Sequence, residues 1–272
     1  MTRKEAEEKI KKIINLPAGY RSVSEILKLI NNEDVSISEI AEVISRDQSL
    51  TAKILKLVNS GFYGFNRKIS SVSHAIALLG VNIIRSLILS SSILKKEDKL
   101  DESLIIHSLA TAQCSGIIAE VINLANPEEL IINGLLHDIG KIILKNYFTT
   151  EFEYIQKEIN KNNCSFYEAE KKHFDFNHTD LGGWILQYWN LPESIQLPVK
   201  FHHDLQMNQI FSRETAVVQY ADSLVREKNV GSGWDNQIPE VSENAKKLLD
   251  LSQKDIDYIS TKIESEVSKI II

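Results

Sequence analysis

Residues Gly134-Leu135-Leu136-His137-Asp138-Ile139-Gly140-Lys141 place a histidine and an aspartate side by side in a segment otherwise built for burial. A neutral imidazole and a carboxylate both donate lone pairs, and an adjacent pair on a rigid helix can share one metal ion. The alternative reading of the same pair is a buried hydrogen-bonded couple that joins two helices. Lys141 lies four residues after His137, one helical turn on, so its ammonium could meet a phosphate bound at the metal. Its alternative is a solvated charge that complements the end of the helix. Two ligands do not hold an ion securely, and further candidates are plentiful. His107 sits in the apolar stretch LIIHSLATA, His178 follows Phe176-Asn177 at a helix start, and His202 and His203 end another helix. Asp222 lies in AVVQYADSLV, where a lone carboxylate is costly to bury without a cation or donors. His203 is the weakest of the set, because it could face solvent beside its neighbour. His74 and His173 fall outside the pattern, and Trp184, Trp189 and Trp234 read as core or interface.

These residues need rigid elements to bring them together, and the sequence supplies helices. Helix starts are marked by Ser22/Glu25, Ser36/Glu39 and Ser165/Glu168, pairs with capping-box spacing. Asn126 before Pro127-Glu128-Glu129 reads as a cap, a proline at the first helical position and acids at the positive helix end. Apolar residues recur at helical spacing, as in Ile54, Leu55, Leu57 and Val58, and no segment sustains strand alternation. The pattern predicts helices near 2–14, 23–31, 37–45, 49–59, 71–79, 81–94, 101–123, 127–145, 150–161, 166–172, 179–189, 192–203, 212–228, 241–249 and 253–269. The charged stretch KKEDKLD at 95–101 marks a junction, which predicts an N-terminal helical bundle over 1–97 and a C-terminal one over 98–272. Residues 229–240, with two Gly and one Pro, read as a surface loop. Asn59, Ser60 and Tyr63 read as a helix-ending turn rather than a binding site.

Composition agrees with a folded all-α chain. Of 272 residues 43% are hydrophobic and 25% charged, which excludes disorder as a description of the whole, and only 5 Pro and 11 Gly interrupt it. A net charge of -6 argues against duplex nucleic acid as a partner. Cys114 and Cys164 lack CxxC spacing and read as reduced thiols of a cytoplasmic protein. The charged start MTRKEAEEKI does not resemble a signal peptide, and the longest apolar run, Ala75–Leu89, is broken by Asn82 and Arg85, so no membrane span is expected.

The order His107, His137-Asp138, Asp222 resembles the H…HD…D pattern of the HD metal-dependent phosphohydrolase superfamily, and the insertion of His178, His202 and His203 is similar to its two-metal HD-GYP branch. The closer resemblance is to the HDOD family, the HD-related output domains of bacterial signalling proteins. It covers nearly the whole chain: SRDQSLTAKILKLVNSGFYGFNRKISSVSHAIALLG at 45–80, then HSLATA, GLLHDIGK, Glu170, His178 with Leu181-Gly182, Trp189-Asn190-Leu191-Pro192 and His202-His203 stand in family order. The resemblance implies a regulatory module that works through a separate signalling protein or a small phosphate-ester or nucleotide ligand. It also implies one or two ions at His107, His137, Asp138, His178, His202, His203 and Asp222. A mixed imidazole and carboxylate set favours Fe, Mn, Zn, Co or Ni over Mg. The second reading is a metal-dependent phosphohydrolase with Asp138 and Lys141 in the catalytic roles, and a third is a structural metal site. Two departures count against cyclic di-GMP hydrolysis: Ser103 stands where the HD-GYP branch can place an acid, and HHDLQMNQI replaces its signature.

Overall fold

The computed structural model describes residues 1–14, 35–45, 51, 54, 55, 58, 69–78, 80, 81, 84, 99–189, 191–205 and 210–270. The expected helices at 23–31, 49–59 and 81–94, the Ser22/Glu25 box and the turn at Asn59, Ser60 and Tyr63 lie wholly or partly outside them. The described residues form α-helices and no strand, so the expected all-α class holds. The chain divides into two compact units, Asn15–Lys96 and a second made of Met1–Ile14 with Glu97–Ile271. The first helix, α1 (Arg3–Ile14), thus groups with the C-terminal residues. Its Arg3 forks onto the Asp180 carboxylate at 2.6 and 2.8 Å, and its Ala6 and Ile10 are fully buried.

In the unit Asn15–Lys96, α2 (Ile37–Ser45) starts as its sequence predicts. The Ser36 N–H donates to Glu39 Oε2 at 2.9 Å, and the Glu39 N–H returns the bond to Ser36 Oγ at 3.3 Å. Ile40, Ala41 and Ile44 form its buried stripe, and residues 72–78 are helical with Val72, Ala75 and Ile76 buried.

The other unit is built around α3 (Lys99–Val121), 23 residues and about 35 Å long. It carries apolar residues around most of its circumference, which is the pattern of a helix surrounded by others. Its Ala110, Cys114, Ile117 and Ile118 are buried with Leu130, Val217, Ala221, Ile259 and Ile263. Among the described residues, Ser103–Val121 is long and apolar enough to cross a membrane, and 72% of it is buried inside the protein as the core helix. Against α3 pack α4 (Pro127–Leu136), α10 (Ser212–Glu227) and α12 (Gln253–Ile270). Between them run α5 (Ile139–Tyr147), α6 (Thr149–Asn162), α7 (Phe166–His173), α8 (His178–Tyr188) and α9 (Glu193–Phe201), with α11 (Glu243–Leu249) before the last helix.

The Ser165/Glu168 capping box forms, but the Asn126 cap does not. Asn126 has φ 58° and its side chain accepts no bond, because capping requires an extended backbone at that residue. Proline 198, inside α9, cannot donate to the carbonyl one turn back, and the Asn133 side chain takes that place with a 3.0 Å bond to the Ser194 carbonyl. That bond fixes α9, and with it the position of His202, against α4.

Candidate metal centre

The single helix expected over 127–145 is two, and the break falls on His137-Asp138. The His137 ring donates from Nδ1 to the Gly134 carbonyl at 2.8 Å, the acceptor that a continuous helix would give to the Asp138 N–H. Asp138 sits at φ -99°, ψ 12°, the sparsely populated bridge region common at active sites. The pair is therefore presented from a corner, not from a helix face. Gly140 makes this corner possible: a Cβ there would lie 1.8 Å from the His178 carbonyl oxygen, so only glycine lets α5 and α8 close.

His107 comes from the middle of α3, His178 from the first position of α8, His202 and His203 from just beyond α9, and Asp222 from α10. The structure brings all seven predicted ligands together. His107 Nε2 lies 3.3 Å from His137 Nε2 and 3.1 Å from Asp222 Oδ1. Asp138 stands between two sets. Its Oδ2 faces His137 at 3.3 Å and His107 at 3.9 Å, and its Oδ1 faces His178 at 3.4 Å and His202 at 3.9 Å. The His203 ring lies 4.1 Å from that of His202 and 5.1 Å from that of His178. Three groups have ligand atoms mutually close enough for one ion: His107, His137 and Asp222; His137, Asp138 and His202; and His178, His202 and His203. His74 is exposed in the other unit, and His173 pairs with Glu158 at 3.3 Å.

Orientation is set from behind. His202 donates from Nδ1 to the Val199 carbonyl at 2.7 Å, and His178 donates from Nδ1 to Glu170 Oε2 at 2.6 Å, which leaves each Nε2 as a lone pair aimed inward. Glu170 also accepts the His178 N–H at 2.7 Å. Sequence reasoning noted Glu170 only as a member of the family order. Its signature was an acid on the same face as Phe166 and Ala169, the buried residues of α7.

Electrostatics prepare a ligand set. Burial pulls His107, His178 and His202 below the ordinary imidazole value, and His203 to about 4, so these rings are neutral. Burial opposes charge on Asp138, but His137 and Lys141 overcome it and hold the carboxyl well below its usual range. Asp222 is held low against the same burial penalty by its bond to His107. Burial would lower His137 too, yet Asp138 keeps it raised. The four lowered imidazoles and the two ionised carboxylates are thus in the protonation states a metal requires, and His137 would release its proton to an arriving cation. Asp138 Oδ1, His178 Nε2 and His202 Nε2 are moreover buried with no hydrogen-bond partner. Three converging orphans in one place are what a cation would satisfy, so the residues present fit a metal.

Lys141 belongs to the first turn of α5 and is buried, so the solvated-charge reading does not hold. Its ammonium donates to Asp138 Oδ2 at 2.8 Å and to the Gly233 carbonyl at 3.2 Å, with the Phe166 ring 5.3 Å away. Residues 229–240, expected as a surface loop, run over the centre with Val230 and Trp234 buried. Gly231, at φ 65°, brings the chain so near α3 that a Cβ would lie 2.4 Å from the His107 amide nitrogen. A cavity of about 360 Å³ opens beside this segment and reaches Lys141, Tyr167, His203, Asp222 and Arg226.

Known proteins share this architecture. An HDOD domain protein of unknown function from Geobacter sulfurreducens is 25% identical, with a TM-score of 0.70 over 98% of this chain and 96% of that one. An uncharacterized protein of Treponema pallidum is 27% identical over 198 residues, 71% of this chain and 39% of its own length. The uncharacterized protein YuxH of Bacillus subtilis is 30% identical over 53% of this chain and 35% of its own. The chain thus spans well under half the length of these curated relatives. The HDOD domain model matches residues 16–205, most of the sequence, and the chain belongs to the HDOD family.

Proposed function

We propose that this chain is a cytoplasmic regulatory module whose C-terminal unit holds one or two divalent transition ions and which passes its state to a separate signalling protein or a small ligand. The observation that carries the metal is the set of buried, unpartnered atoms on Asp138, His178 and His202. His107, His137, Asp138 and Asp222 would hold one ion, and His178, His202 and His203 a second. Fe, Mn, Zn, Co or Ni suits such a set. A regulatory role is favoured over hydrolysis because, among the described residues, those lining the cavity offer no free cation to a phosphate. Lys141 is already paired with Asp138, and Arg226 with Asp235 at 2.6 Å. Elemental analysis by inductively coupled plasma mass spectrometry tests the reading: about one or two equivalents of metal, lost in Asp138→Asn, are expected. Protein that takes up no ion after reconstitution refutes it.

The cavity reaching Asp222, His203 and Lys141 supports a second reading, a metal-dependent phosphohydrolase. A bound ion would there supply a water of lowered pKa and polarise a phosphoryl oxygen. Asp138 would be the central carboxylate, and Lys141 would have to leave it to meet the substrate. Metal-dependent turnover of a phosphomonoester or phosphodiester, abolished in Asp138→Asn, would replace the regulatory reading.

A further inference from the structure

Residues 230–240 form a strap over the centre, and its fastenings differ in kind. At one end the Ser232 N–H donates to the Ser103 carbonyl at 3.1 Å, and Gly231 lies on the backbone of α3. At the other, the Arg226 guanidinium donates to the Asp235 carboxylate at 2.6 Å and to the Asp235 and Gln237 carbonyls at 2.7 Å each. The Phe166 N–H donates to Asp235 Oδ2 at 2.9 Å. These bonds involve no candidate ligand side chain. Between them, the Gly233 carbonyl is held by Lys141, which also holds Asp138. The Trp234 ring beside it packs on Phe152 at 5.2 Å and on Phe166 at 6.2 Å.

We infer that Lys141 couples metal occupancy to this strap: when the Asp138 carboxylate is engaged by an ion, the ammonium gives up Asp138 and moves onto Asp235, tightening residues 230–240. The inference rests on the metal reading above. Burial opposes the charge of Lys141, and three carboxylates, Asp138, Asp235 and Asp222, hold it in place. Two of the three are candidate ligands. Once those are committed, a neighbouring dication repels the ammonium; Glu170, a further buried carboxyl that feels the Lys141 charge, is taken up by two bonds from His178, and Asp235 on the strap remains. The way there is open. Gly233 is flanked by both cations, since a Cβ on it would meet Arg226 Nη1 at 3.1 Å and Lys141 Nζ at 3.3 Å. Its backbone is outside the left-handed region, so the missing side chain serves space and not conformation. Arg226, already bonded to two strap carbonyls, keeps those bonds while sharing the Asp235 carboxylate. Occupancy at a buried site is thereby written onto a segment at the molecule's surface, where Ile238 is 53% exposed.

Hydrogen exchange followed by mass spectrometry tests this on the full chain, with and without Zn²⁺ and with the metal content of each sample measured. Amides of residues 230–240 are expected to exchange about tenfold more slowly in the loaded protein. Lys141→Met should bind the same equivalents of zinc and lose that slowing. Zinc uptake without any slowing in the native chain overturns the inference and leaves the metal reading standing, and so does slowing that survives in Lys141→Met. Absence of zinc uptake overturns both. Should Lys141→Met fail to fold, Asp235→Asn carries the same test, because it removes the carboxylate to which Lys141 is expected to move.

Discussion

Glu170 touches no candidate metal position, yet its replacement by glutamine should weaken the metal site more than its distance suggests. Full burial pushes the Glu170 carboxyl well above its ordinary value, but its two oxygens face two donors of one residue, the His178 N–H at 2.7 Å and Nδ1–H at 2.6 Å, an arrangement that suits the ionised form. A glutamine amide has one oxygen and a donating NH2, so it can satisfy only one of these donors and turns a like group toward the other. One lost bond at a buried donor costs about 1–3 kcal/mol of stability. With an ion on Nε2, the ring also withdraws charge from Nδ1–H, so the carboxylate matters more in the loaded than in the free protein. Loss of such an orienting partner typically lowers metal affinity about 10- to 100-fold, or about 1.4–2.7 kcal/mol. Competition for Zn²⁺ against a chromophoric chelator reads this directly, with circular dichroism confirming the helices. The exposed Glu168→Gln on the same helix is the control and should bind as the native chain does. If two ions bind, the weaker binding should fall on the set containing His178, His202 and His203. A folded Glu170→Gln protein with native zinc affinity would refute the claim that Glu170 governs His178.

Gly140→Ala should destabilise the protein by about 3 kcal/mol or more, because the new methyl would sit 1.8 Å from a backbone oxygen and must force α5 from α8; an unchanged thermal melt would refute that close approach. Asp138→Ala and Asp138→Asn should both lose metal, but alanine leaves the buried Lys141 ammonium with only the Gly233 carbonyl and the nearby Asp235, so its unfolding free energy should fall by about 1–3 kcal/mol more than that of the asparagine variant; equal urea midpoints would contradict this. Lys172 and His173 hold the Glu158 carboxyl down at about 2, against an ordinary 4.5. The folded value being the lower one, that stabilisation is present above about pH 4.5 and is lost as the pH falls toward 2, so Glu158→Gln should flatten the acid limb of stability measured in urea between pH 6 and pH 3.

The seven candidate ligands, which the fold brings together, stand out in the sequence because each is an ionisable side chain in an apolar helical setting, a placement that burial penalises unless the groups serve one another. The helices were legible for the same local reason: Ser36/Glu39 and Ser165/Glu168 carry their capping bonds within four residues. What escaped was set by contacts distant in sequence or by a side chain acting on its own backbone. The break at His137-Asp138 follows from an imidazole that takes the Gly134 carbonyl, and periodicity cannot register it because the apolar spacing continues across the break. Lys141 reads from sequence as a solvated charge or a phosphate donor, because its burial depends on Gly233, 92 residues away, although its Asp138 partner is only three residues off. Residues 229–240 read as a surface loop from their Gly and Pro alone. Those glycines serve a different end, one admitting the backbone of α3 and the other standing between two cations. The same distinction separates the metal site from its use. Candidate ligands are written in residue type and order, whereas the proposed coupling of that cluster to the surface depends on where one ammonium can go, and that is decided only when α5, α10 and the strap meet.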